Sequence, residues 1–107
     1  MNIKIKGKEQ EIKYTFHSFN FMADLDFNVL QEVEHKPFLI APFCHMMVLG
    51  GVNNNPKKKV ISTLEVSEAL ETYMEEDGDI MELFEGLLAE LEKSNFFKSL
   101  QKKTEEK

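Results

Sequence analysis

The order of apolar and polar residues assigns a local structure to most of the chain. Ile3 and Ile5 alternate with Lys4 and Lys6, and after Gly7-Lys8-Glu9-Gln10 the alternation resumes, Ile12, Tyr14 and Phe16 against Lys13 and Thr15. A period of two belongs to a strand with one buried face, so this segment reads as a β-hairpin turning at 7–10. A lone hairpin is marginal in water, and it therefore needs helices to lie on.

Helical periods follow. Ser18 can cap a helix through Phe19–Leu25, with Phe21, Met22 and Leu25 on one side; continuation past Asp26-Phe27-Asn28 to Val29 and Val33 is open, and Lys36-Pro37 ends the region. Pro42 suits the first turn of a short helix, Phe43–Leu49, which Gly50-Gly51 stops before the polar turn at Asn53-Asn54-Asn55-Pro56. Ser62 and Glu65 form a capping box, and Ile61 can pack on Val66 as its hydrophobic staple. The helix they start, to about Glu75, has Val66, Ala69, Leu70, Tyr73 and Met74 as its inner face. After Glu76-Asp77-Gly78, Asp79 caps an amphipathic helix. Its stripe is Ile80, Leu83, Phe84, Leu87, Leu88 and Leu91, and Glu82, Glu85, Glu90 and Glu92 lie off it. The short turn predicts that this last helix packs on the one from Ser62.

At 107 residues the chain suits one domain, taken as 1–101, with 102–107 as a flexible charged tail. The net charge of −6 and pI of about 5.1 disfavour general nucleic-acid binding, which draws its affinity from cations on phosphates. No apolar run reaches the roughly 18 residues of a membrane span, and the first residues lack a signal peptide's apolar stretch. A single cysteine, Cys44, forms no intrachain disulfide, which fits a reducing compartment.

Candidate chemistry is sparse. Cys44 and His45, with His17 or His35, are the residues a thiol hydrolase or zinc site would need, but adjacent residues on a helix diverge by about 100° and no pair has a ligand interval. The acids from Glu71 to Glu85 lack the alternation of a calcium loop and read as a solvated face. Gly50-Gly51 lacks the Lys-Ser/Thr of a phosphate loop. No catalytic, cofactor or metal residues are assigned. Lys57-Lys58-Lys59 can meet an acidic partner or RNA, although solvent is the simpler destination. Phe43, Met46 and Met47 offer soft apolar surface, and Phe96, Phe97 and Leu100 lie where a short chain has little core left. These six are the candidate partner-binding residues.

In its order of segments the chain resembles the small tail assembly chaperones of long-tailed phages of Gram-positive hosts. The similarity runs through Met1-Asn2-Ile3-Lys4-Ile5-Lys6-Gly7-Lys8-Glu9 and Phe21-Met22-Ala23-Asp24-Leu25-Asp26. It continues in Ser67-Glu68-Ala69-Leu70-Glu71-Thr72-Tyr73-Met74-Glu75-Glu76, Asp79-Ile80-Met81-Glu82-Leu83-Phe84-Glu85 and Glu90-Leu91-Glu92-Lys93-Ser94. His35 to Lys59 follows the family pattern less closely. The resemblance implies a non-enzymatic protein of the host cytoplasm that binds the tape measure protein, keeps it soluble and helps recruit tail tube protein. It also implies that a longer form can arise by frameshifting.

The expected fold is α+β, an N-terminal β-hairpin packed on a small bundle of three to five α-helices. The expected partners are the tape measure protein and the tail tube protein, with homo-oligomers open, no nucleic acid and no membrane. The alternatives are an acidic DNA-mimic inhibitor, suggested by the acids of Glu71 to Glu92, another small helical interaction module, or a metal or hydrolase site at Cys44 and His45.

Overall fold

A computed structural model describes residues 1–28 and 40–99. Within them an antiparallel hairpin, β1 (Asn2–Ile5) and β2 (Lys8–Glu11), precedes α1 (Phe16–Asp24), α2 (Ile40–Val52), α3 (Thr63–Glu75), α4 (Ile80–Glu92) and α5 (95–99). The class is α+β, as the patterning predicts.

The hairpin turns earlier than its periodicity suggests. Lys6 and Gly7 have φ of 52° and 77°, the two positive values of a type I′ turn, whose twist matches that of the flanking strands. Pairing runs from Asn2 opposite Glu11 to Ile5 opposite Lys8. β2 is therefore Lys-Glu-Gln-Glu, with no apolar alternation to betray it, and Ile12 and Tyr14 follow the strand rather than form it. The Ile12 N–H still reaches the Met1 carbonyl at 2.8 Å, and Ile3, Ile5, Ile12 and Tyr14 all face the core.

Thr15, not Ser18, caps α1. Its hydroxyl accepts the Ser18 N–H at 3.2 Å while Ser18 Oγ accepts the Thr15 N–H at 3.1 Å, a capping box in which serine takes the place usual for Glu or Gln. The helix ends where Asp26 turns left-handed at φ 60°, with Phe27 N–H bonded to the Met22 carbonyl at 3.0 Å in a Schellman closure. The expected extension through Val29 and Val33 and the stop at Lys36-Pro37 lie outside the described residues.

α2 is the centre of the fold. The expected Phe43–Leu49 is too short: the helix runs through Gly50 and Gly51, which are packing positions rather than a stop. A methyl on Gly50 would collide with the buried Met22 side chain, and one on Gly51 would lie 2.6 Å from Ile12 Cγ2. Eight residues of this helix are buried, from Phe43 to Val52. A helix without charged residues that is apolar on every side belongs inside. It packs on α1, α3 and α4 and approaches β2, while α3 lies along β1.

The starts of α3 and α4 are as predicted. Ser62 accepts the Glu65 N–H at 3.2 Å and Asp79 accepts those of Met81 and Glu82 at 2.8 and 3.3 Å. Ile61 is half-buried against the same core as Val66. Met74, expected on the inner face of α3, is 45 % exposed, because it lies about 80° around the helix from buried Val66. Leu83, Leu87 and Leu91 form the buried ridge of α4. That ridge faces chiefly α2 rather than α3: the Phe84 ring lies 5.4 Å from that of Phe43.

Candidate client-binding surface

Two capped helix starts converge on one aromatic cluster. The Thr15 cap places Phe16 first and Phe19 fourth in α1, and Ser94 Oγ accepts the Phe97 N–H at 3.3 Å, starting α5 immediately after α4. Phe96 stands edge-on to Phe16 at 5.2 Å and 86° and is tilted against Phe19 at 5.0 Å. Phe19 in turn stacks on Phe97 at 6.5 Å and 8° and touches Tyr14 at 6.3 Å. The cluster grades from core to surface: Phe97 is 1 % exposed, Phe19 and Phe96 are half-buried, and Phe16 is 62 % exposed.

Beside this cluster runs a groove of about 470 Å³ between the hairpin end and the α4–α5 junction. Phe16 and Phe96 line it with Lys13 and Glu11 from one side and Glu90 and Lys93 from the other. Its charges balance. The Met1 amine, bonded to Glu90 at 2.8 Å, and then Lys93 hold the Glu90 carboxyl below the usual carboxylate range. An open aromatic pair with paired charges at its margin suits an apolar helical segment better than a small charged ligand.

The five candidate residues that are described do not form one surface. Phe43 and Met47 are core residues of α2, Phe97 is buried beneath Phe19, and Met46 and Phe96 are half-buried. Leu100 lies outside the described residues. Of the candidate residues that are described, Phe96 lines this groove, beside Phe16, which the alternation of Ile12, Tyr14 and Phe16 places at the end of a strand. The signal that finds Phe16 is Thr15-His17-Ser18 seen as a cap, which shifts the helix start three residues back.

The other candidates have plain settings. Cys44 is buried, and burial pushes its thiol up to about 11, so it stays protonated at neutral pH. His45 instead meets Thr63, with Nε2 3.1 Å from its carbonyl and 3.2 Å from its hydroxyl. Among the described residues no group of three His, Cys, Asp or Glu is placed to hold a metal ion. Among the same residues no helix is long and apolar enough to cross a membrane.

Comparison with curated proteins and with solved structures gave no match. A family model did match: that of the phage tail assembly chaperone protein, TAC, over residues 45–106, more than half of the chain. The match takes in most of α2 and all of α3, α4 and α5, and leaves the hairpin and α1 outside it. The chain belongs to the phage tail assembly chaperone family.

Proposed function

We propose that this chaperone binds the tape measure protein in the host cytoplasm, keeps it soluble while the tail is built, and helps bring tail tube protein to it. The observation that carries this reading is the exposed Phe16 ring set edge-on to Phe96 at the mouth of a groove, in a chain of this family. A long helical client exposes apolar stripes before assembly, and an aromatic wall can cover part of one stripe without needing a matched charge. Phe97 and Phe19 hold that wall from beneath, while Phe43 and Met47 belong to the core of α2. The role is binding without bond chemistry, so no cofactor enters.

Co-expression of the full chain with the tape measure protein tests this. The proposal expects the client to move into the soluble fraction and to co-purify with the chaperone. A client equally insoluble with and without the chaperone, and no joint elution, overturns it.

A further inference from the structure

The loop joining α2 to α3 is clamped at its base and bare at its tip. Asn53, 6 % exposed, donates from Nδ2 to the carbonyls of Leu49 and Ile61 at 2.8 and 3.0 Å and accepts the Ile61 N–H on Oδ1 at 2.8 Å. Asn54 donates to the carbonyls of Gly51 and Glu11 at 2.8 and 3.1 Å, and the Thr15 hydroxyl donates to the Asn54 carbonyl at 2.7 Å. Asn55 Oδ1 accepts the Lys57 N–H at 2.9 Å, and the Lys58 N–H returns to the Asn55 carbonyl at 3.1 Å. Successive asparagines thus fix the loop to α2, to the hairpin and to itself.

What this clamp holds out is Lys57, Lys58, Lys59 and Val60, all exposed. Val60 is 58 % exposed, and Leu64, on the first turn of α3, is 65 % exposed, the highest of the large apolar side chains among the described residues. No salt bridge joins any of the three lysines among those residues. In a chain of net charge −6, three successive cations followed within a few residues by two exposed aliphatic side chains are a local reversal of the sequence's charge, with Glu65, on which Lys59 acts, as the nearby acid.

We propose that Lys57–Val60 and Leu64 form a second docking surface, separate from the Phe16–Phe96 groove, for an acidic amphipathic segment of a protein partner. The lysines call for carboxylates, and Val60 and Leu64 call for apolar side chains on the same segment. RNA would answer the lysines but leave both aliphatic side chains uncovered, and the overall negative charge opposes it. The asparagine clamp matters because a loop already ordered loses little entropy on binding.

Fluorescence anisotropy with the full chain tests the proposal, using a labelled peptide of about 20 residues, long enough to hold a helix. One probe carries Glu on its polar face and Leu on its apolar face, a second has Lys for Glu, a third has Ser for Leu, and a fourth is single-stranded RNA. The acidic amphipathic peptide binds tightest, and added salt weakens it. Leu64→Ser, and separately Lys57, Lys58 and Lys59 all changed to Gln, each weaken that binding about tenfold. The loop variant retains the wild-type melting curve, so it carries the result should Leu64→Ser melt early. Equal binding of the Lys peptide or of RNA overturns the proposal. So do variants that bind as wild type, or variants that change the chain's own sedimentation and leave peptide binding intact.

Discussion

The Tyr14 hydroxyl donates a 2.6 Å hydrogen bond to the Met47 carbonyl, joining the end of the hairpin to the middle of α2 with both residues buried. Tyr14→Phe removes the donor, and the acceptor left behind is a backbone carbonyl inside α2. The expected loss is about 1 kcal/mol in urea denaturation, the net worth of one neutral hydrogen bond. An unchanged midpoint would mean the contact adds nothing.

The same region makes stability fall in alkali. Burial, then the charges of Cys44 and Glu90, raise the Tyr14 phenol well above its ordinary 10.0, and burial moves the Cys44 thiol from 9.0 to about 11. Both folded values exceed the unfolded ones, so the unfolded chain releases these protons first. The Cys44 contribution is complete below pH 9.0 and is lost as pH rises through about 11, with Tyr14 extending the loss upward. Denaturation midpoints measured across that window should fall, and Cys44→Ala should flatten the first part of the slope. A slope identical in the variant contradicts the assignment.

Gly51 gives a substitution whose sign separates packing from propensity. Inside an exposed helix Gly→Ala gains about 1 kcal/mol. Here the new methyl would sit 2.6 Å from Cγ2 of Ile12, a stiff side chain that is 1 % exposed. Overpacking costs about 1 to 3 kcal/mol, so Gly51→Ala should lower the melting temperature. A higher melting temperature would show that the hairpin rides loosely on α2.

Asp77 ends α3 at φ 63°, and Gly78 N–H closes the turn on the Tyr73 carbonyl at 2.9 Å. The left-handed position favours glycine, because it has no Cβ to strain. Asp77→Gly should therefore stabilise the chain, by up to about 1 kcal/mol, read from the denaturation midpoint.

How much of this was legible depended on whether a residue's role was local. The Ser62 and Asp79 caps act within three residues, and the Leu83-Leu87-Leu91 ridge repeats within one helix, so pattern alone finds them. The hairpin turn was misplaced because Lys8 to Glu11 has no apolar period and the I′ turn at Lys6-Gly7 lacks its usual asparagine. Gly50 and Gly51 looked like a stop because their reason for being glycine is contact with Met22 and Ile12, far away in sequence. The run from Ile40 to Met47, with no Asp, Glu, Lys or Arg, carries a signal for a central helix, and that signal puts Phe43 and Met47 in the core. Phe96 stands where core runs short, which its place after α4 makes legible, whereas the exposure of Phe16 follows from a helix start that periodicity assigns to a strand.

The central claim is that the open Phe16–Phe96 pair receives the tape measure protein, and affinity of the full chain for that client measures it most directly, wild type against Phe16→Ser. Phe16 is 62 % exposed, so the variant should keep its stability within about 0.5 kcal/mol. Its affinity should fall about tenfold or more, the loss expected when one large apolar anchor no longer buries itself on binding. Equal affinity for both chains, at equal stability, would contradict the account.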